Sequence, residues 1–381
     1  MAYSGPIIDS DVHHTWRSDD EVAAYLPRRW REYVHDSGIT LRPVMANFAH
    51  PGRADLRMDA FPERGGPPGS DYATLRDQLL DAHGITRAIL GFDVGHELAH
   101  ANPYFAAELA RAMNDWSIEH WLSIDDPRLQ GKVVVADHQP ERAAEEIRRV
   151  GDHPKIVEVL LVTNGTGQPF GHPIHDPIHR AAADLGLPVG MHVAPGFLYK
   201  NVQYAGGMPG TRFEYLARVP EAHVHHLTSL ITHGVFEKFP SLRVMLIECG
   251  VAWFPWLMLA LDARYTDYRR ESDWVRRLPS EYFREHVRVT TQPLDIGPER
   301  HRLAELLDAL GGMDEILCFA TDYPHWDFDD PMYVGRHLPR TWWDGVFHGN
   351  AARFYGWDPA ALAAEERERA ARRPLASAGR A

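Results

Sequence analysis

The chain has 381 residues, with 40 Lys and Arg against 53 Asp and Glu. The resulting net charge of −13 argues against a surface built to neutralise phosphates, and so against nucleic acid as a partner. At 44 % hydrophobic and 24 % charged, the composition is that of an ordinary globular protein with a large core, neither disordered nor fibrous. Residues 1–6 lack the basic start, apolar run and small-residue cleavage site of a signal peptide. No later stretch reaches the roughly 18 apolar residues of a membrane span, so the expected location is the cytoplasm, away from any membrane. Only Cys249 and Cys318 are present, each inside an apolar run, which argues against a disulfide framework and a thiolate zinc site. A bound metal must therefore use His and carboxylates.

Eight short apolar, β-branched runs punctuate the chain, at 7–12, 87–92, 132–136, 156–162, 188–193, 243–247, 287–291 and 316–320. Between them lie amphipathic helical patterns at 72–83, 103–122, 140–150, 177–185, 222–239, 253–270 and 299–310. Strand-helix alternation repeated eight times predicts an α/β fold, a parallel (β/α)₈ TIM barrel, with a doubly wound open sheet as the competing architecture. The C-terminal ends of the runs favour the barrel, whose active sites lie at that face. In order they carry Asp11 and His13, Asp93, Asp137, Asn164, His192, Glu248, Thr291 and Gln292, and Asp322. Asp93, Asp137 and Asn164 read better as loop or helix-capping residues.

Residues 14–71 contain two Pro/Gly-rich stretches and no clear strand-helix unit, and read as an N-terminal insertion covering the barrel mouth. Residues 200–212 form a second loop after the fifth strand, in the place of a lid or substrate wall. A single barrel domain over 1–357 is then followed by a C-terminal tail, 358–381, whose Ala, Glu and Arg suit a solvated helix or frayed end.

Asp9, Asp11 and His13 alternate along the first strand and so share a face, with the last two at its open end. Together with His192 and Asp322 they give two imidazoles and two carboxylates from separate strands, a set suited to a divalent cation such as Zn, Mn or Fe. Glu248 is a further candidate ligand or acid/base group, and His325, three residues beyond Asp322, is placed for proton transfer. His223, His225, His226 and His233 lie on one helical stretch, and most such residues serve packing or the surface. One of them, together with Glu248, is a candidate second metal site.

Four segments carry a resemblance. Ile7-Ile8-Asp9-Ser10-Asp11-Val12-His13, Gly186-Leu187-Pro188-Val189-Gly190-Met191-His192, the stretch from Gly234 to Val244, and Ala320-Thr321-Asp322-Tyr323-Pro324-His325 resemble the amidohydrolase-related metal-dependent hydrolases. The branch is the one that includes aminocarboxymuconate-semialdehyde decarboxylase and resorcylate-type decarboxylases. Gly349-Asn350-Ala351-Ala352-Arg353-Phe354-Tyr355-Gly356 resembles the family's closing helix, so the likeness runs from about residue 6 to residue 357. It implies a distorted (β/α)₈ barrel, a metal site and a homodimer. Two departures stand out: Asp11-x-His13 replaces the usual His-x-His or Glu-x-His, favouring harder cations, and Glu248-Cys249-Gly250 replaces a His-Gly-Gly type sequence after the sixth strand, with Glu248 as the nearest functional substitute.

The leading expectation is an enzyme that holds one divalent metal through Asp11, His13, His192 and Asp322, with Glu248 as a further ligand. The metal activates a water for hydrolysis, or holds the substrate for non-oxidative decarboxylation, while Asp322, Glu248 or His325 handles the proton. Trp253, Trp256, Trp326, Phe197 and Tyr199 near the mouth suit an aromatic or apolar substrate, and Arg212, Lys200 or Arg53 a carboxylate. Two rival readings stay open. One is a dinuclear non-heme iron or manganese oxygenase on the same fold, resembling the isobutylamine hydroxylase system. The other is a catalytically degenerate partner subunit.

Overall fold

The computed structural model describes residues 3–42, 56–92, 102–163, 167–193, 210–299, 302–309 and 311–372. All eight expected strands form. They are β1 Ile7–His13, β2 Ile85–Gly91, β3 Leu129–Val134, β4 Ile156–Val162, β5 Val189–His192, β6 Val244–Ile247, β7 Val287–Thr290 and β8 Leu317–Cys318. They make one sheet in chain order, each strand parallel to the next. The last returns to the first: Ser10 N donates to Phe319 O at 2.9 Å, Asp322 N donates to Asp11 O at 3.1 Å, and Val12 bridges Tyr323 in parallel. This closure makes a (β/α)₈ barrel and excludes the doubly wound alternative, whose edge strands stay apart.

The strands read as continuous apolar runs because both faces are covered, one by the barrel interior and one by helices. Every residue of β1, β3, β4, β5 and β6 is buried. Helix Pro103–Ser117 shows how the outer layer forms. Asn102 caps it by accepting from Tyr104 N and Phe105 N, Pro103 occupies the first turn, and Phe105, Leu109, Met113 and Trp116 make its buried stripe. Helix Pro140–Val150 buries Ala143, Ala144, Ile147 and Val150 in the same way.

The helix expected over 222–239 is divided into Pro220–Thr232 and Val235–Lys238, because Gly234 between them adopts a left-handed backbone at φ 67°. Helix Pro279–His286, leading into β7, has no counterpart in the sequence reading. The described parts of the 14–71 insertion include helices Asp19–Ala23 and Arg28–Ser37. The insertion reaches the barrel mouth where Leu56 bridges His325 and Arg57 N donates to Pro324 O at 2.9 Å. Helix Pro359–Arg372 in the tail is docked rather than frayed. Arg87 at the foot of β2 pairs with Glu365 at 2.7 Å, and Arg369 donates to Ile85 O and Gly84 O at 2.9 and 3.0 Å. Among the described residues no helix is long and apolar enough to cross a membrane.

Candidate metal centre

Strand alternation carries Asp11 and His13 to the same face at the C-terminal end of β1, where both are buried. Asp9, one step deeper, accepts from Thr321 N at 3.0 Å and Thr321 Oγ1 at 2.6 Å, so it ties β1 to the end of β8 instead of facing the mouth. His192 ends β5 with its Nδ1 2.5 Å from Val193 O. A proton on Nδ1 suits that contact and leaves the Nε2 lone pair directed at the mouth. There His192 Nε2 lies 3.5 Å from Asp11 Oδ2 and 3.2 Å from Glu248 Oε2. His13 Nε2 lies 3.6 Å from Asp11 Oδ2 and 2.8 Å from Asp322 Oδ1. His325 Nδ1 meets the same Asp322 oxygen at 2.6 Å, and Gln292 Nε2 donates to Asp322 Oδ2 at 3.1 Å.

The donor atoms fall into two overlapping groups, Asp11, His13 and His192, and His13, Glu248, Asp322 and His325, each with its atoms within 4.8 Å of one another. Asp11 Oδ2 and His192 Nε2 are buried without a hydrogen-bond partner. Leaving such groups unsatisfied costs about 1–3 kcal/mol each, and a cation between them satisfies both. The mixed imidazole and carboxylate set therefore fits a zinc, manganese or iron ion. Glu248 and Asp322 also adopt left-handed backbone, at φ 51° and 62°. That conformation is uncommon for residues other than Gly and recurs where a site demands it.

Residues 8–357 match the amidohydrolase family model. The chain belongs to the amidohydrolase family. It is 28 % identical over 275 residues to the γ-resorcylate decarboxylase of Rhizobium sp. (strain MTP-10005), covering 68 % of this chain and 79 % of that protein. The crystal structure of 5-carboxyvanillate decarboxylase from Sphingomonas paucimobilis superposes with a TM-score of 0.65 at 21 % identity, covering 93 % of this chain and 100 % of that one. A dihydroxybenzoic acid decarboxylase from Polaromonas sp. JS666, solved with manganese and 2-nitroresorcinol, superposes with a TM-score of 0.64 at 19 % identity, covering 92 % and 97 %. The chain is thus an enzyme of the amidohydrolase type, with a residue cluster suited to a metal at its barrel mouth.

Burial and close charges compete at this amidohydrolase's mouth. It pushes the Asp11 carboxyl up, but Lys132, His13 and His192 outweigh it and hold the group well below the usual carboxylate range. Asp322 behaves alike: burial raises it, and His325 and His13 bring it below its ordinary value. Glu248 is raised well above the ordinary range, first by burial and then by the neighbouring Asp322 charge. Asp327 on the same rim is raised by burial and by Asp322, with Arg212 acting in the opposite sense.

The structure brings together Asp11, His13, His192, Glu248, Asp322 and His325. It puts Arg212 at the start of helix Arg212–Arg218, close enough for its charge to act on Asp327. Trp326 follows His325 and is 54 % exposed. The Trp253 indole braces the loop after β6, donating to Cys249 O at 2.8 Å and Gly250 O at 3.0 Å. Phe197, Tyr199, Lys200 and Arg53 lie outside the described residues. The helix histidines stand apart from both donor groups: His223 Nε2 contacts Met191 O at 3.0 Å, and His226 accepts from Phe170 N at 3.0 Å.

Lys132 and Glu158, two residues that the strand-end reading missed, are wholly buried beneath Asp11. A Lys and a Glu inside otherwise apolar strand runs were the available sign, since such charges are almost never fully buried unless paired.

Proposed function

We propose that this amidohydrolase is a metal-dependent, non-oxidative decarboxylase of a small aromatic carboxylic acid. The observation that carries the reading is the gathering of Asp11, His13 and His192 donor atoms within 4.8 Å of one another at the barrel mouth, with Asp322 Oδ1 2.8 Å from His13 Nε2, and with Asp11 Oδ2 and His192 Nε2 unsatisfied. The similarity to γ-resorcylate decarboxylase favours decarboxylation over hydrolysis. Asp11, His13, His192 and Asp322 would hold one manganese, zinc or iron ion, which when bound supplies Lewis acidity and positive charge to fix an anionic substrate.

The chain's own residues supply the proton. Loss of CO₂ from an aromatic acid requires that a C–H bond form at the carbon whose C–C bond breaks, the electron pair of the broken bond returning to the ring. No oxidant enters. His325 Nδ1 and Asp322 Oδ1 share a hydrogen bond, and the His325 side chain is 13 % exposed, next to the buried Asp322. A proton held on His325 therefore passes to Asp322 Oδ1 and on to the ring carbon. Glu248, on the His192 side, orients the substrate's acidic group. Arg212 is assigned to a substrate carboxylate, and Trp326 and Trp253 to the apolar wall. The same reading takes the chain to be a homodimer, for which Trp256 and Leu259, 60 % and 59 % exposed and three apart on one helix, offer an apolar face.

One observation favours a second reading. Six donors in two groups that share His13 are enough for two ions, as a dinuclear oxygenase would require. The primary test is CO₂ release by manganese-loaded protein from 2,6-dihydroxybenzoate, 5-carboxyvanillate and related hydroxybenzoates. Turnover of at least one acid, abolished by a chelator and restored by manganese, is expected. Absence of CO₂ release across the set by metal-loaded protein would contradict decarboxylation.

A further inference from the structure

We propose that Lys132 is a positioning residue for the metal centre. It locks the Asp11 carboxylate in the orientation that meets the cation, and is itself held by Glu158 and Tyr355. The inference rests on the metal-centre reading above.

Lys132 Nζ lies 3.0 Å from Asp11 Oδ1 and 3.5 Å from Glu158 Oε1, with all three side chains at 0–1 % exposure. Tyr355 donates its hydroxyl to Glu158 Oε2 at 2.8 Å. Four side chains thus run in line from the closing helix Asn350–Tyr355 through β4 and β3 to β1. The two Asp11 oxygens divide their tasks. Oδ1 is engaged by Lys132, while Oδ2 has no hydrogen-bond partner and faces His13 at 3.6 Å and His192 at 3.5 Å. Without a donor on Oδ1, the Asp11 carboxylate plane is free to rotate out of the orientation that points an oxygen between His13 and His192.

The barrel is shaped to admit this pair. A Cβ at Gly91 in β2 would come within 3.0 Å of the Lys132 chain, and one at Gly190 in β5 would collide with the Glu158 carboxylate. Two strands flanking β3 and β4 give up a side chain at the positions that Lys132 and Glu158 fill. Glu158 also explains how a cation can stand beside a metal site. Its charge offsets that of Lys132, so the pair gives Asp11 a donor without adding net positive charge where a divalent ion must bind. Groups that orient a ligand in this way typically govern metal affinity by 10–100-fold.

The test is a titration of manganese against a competing fluorescent chelator, with thermal unfolding of each metal-free protein alongside. The variants are Lys132→Met, the charge-neutral double substitution Lys132→Met with Glu158→Gln, and Tyr355→Phe. The double variant removes the Asp11 anchor without stranding a buried carboxylate. It is expected to fold cooperatively and to bind manganese about 10–100-fold more weakly than the wild type. Tyr355→Phe, which deletes one hydroxyl from the far end of the line, is expected to weaken binding about two- to tenfold, the worth of one hydrogen bond, and it carries the test should the Lys132 variants not fold. Wild-type-like or tighter manganese binding by the folded variants would overturn the role of Lys132 while leaving the metal centre standing. Failure of the wild type itself to bind would overturn both.

Discussion

A strand end leaves a side chain little choice of direction, which is why the residues that gather at the barrel mouth could be named from the sequence. Asp11, His13 and His192 are buried at the ends of β1 and β5, positions where a parallel barrel otherwise needs apolar residues. Lys132, Glu158 and Gln292 escaped because their role depends on which neighbours they meet across the barrel, and spacing along one strand carries no such information. Asp322 Oδ1 lies 2.8 Å from His13 Nε2 and 2.6 Å from His325 Nδ1 on a left-handed backbone, the contacts on which its proposed role as proton carrier rests. Asp322→Asn is expected to lower kcat for CO₂ release by about 10²–10⁴-fold, the usual contribution of a positioned acid or base. Activity within threefold of wild type would remove Asp322 from that role. Glu248→Gln separates the two metal counts when set beside wild type: under the single-ion reading both hold one ion per chain, whereas a dinuclear centre falls from two ions to one, and elemental analysis of both proteins reads this directly.

At the scale of elements, the eight strands were legible because apolar runs in a covered parallel sheet differ sharply from the amphipathic helices between them. The helix Pro279–His286 and the division at Gly234 were not, since a short helix and a single left-handed residue leave hydrophobic periodicity almost unchanged. The loop after β6 shows how one element fixes a functional side chain. Asp295 Oδ2 accepts from Val251 N at 2.8 Å and Ala252 N at 2.9 Å, and the Trp253 indole closes back on Cys249 O. These bonds hold the turn that starts at Glu248. Asp295→Ala should therefore cost about 0.5–2 kcal/mol in urea unfolding, as loss of a helix N-terminal cap does, and should raise KM more than it lowers kcat, because it loosens Glu248 without touching Asp322. An unchanged urea midpoint would show that the loop is held by other contacts.

For the whole molecule, the barrel's closure was readable from strand count and order. The course of the 14–71 insertion was not, because Pro/Gly-rich sequence specifies turns without specifying where they dock. Acid stability is a property of the assembled fold. Burial lowers His175 and His223 to about 4 and His226 to about 3, from an ordinary value of 6.5. Each is neutral when folded and takes up a proton on unfolding between its folded value and 6.5. Their contribution to stability is therefore complete above pH 6.5 and is lost as pH falls toward 4. Near pH 5 each of these histidines should cost about 1.4 kcal/mol of stability per pH unit of acidification, while Asp9 and Asp329, raised to about 7 by burial, act in the opposite sense, so His226→Gln should change the slope by about 1.4 kcal/mol per pH unit relative to wild type. Chemical denaturation of wild type and variant at pH 7, 6 and 5 measures this, and the same pH slope in both would contradict it.

The most direct test of the metal centre is elemental analysis per chain of protein purified without added metal or chelator, paired with absorption spectra before and after admission of O₂. A mononuclear decarboxylase predicts close to one manganese, zinc or iron per wild-type chain, loss of that ion in His192→Ala, and no spectral response to oxygen. Metal-free wild type that stays unloaded after incubation with manganese, zinc or iron would contradict the centre itself. Two iron or manganese ions whose spectrum changes with O₂ would replace decarboxylation by the dinuclear oxygenase reading.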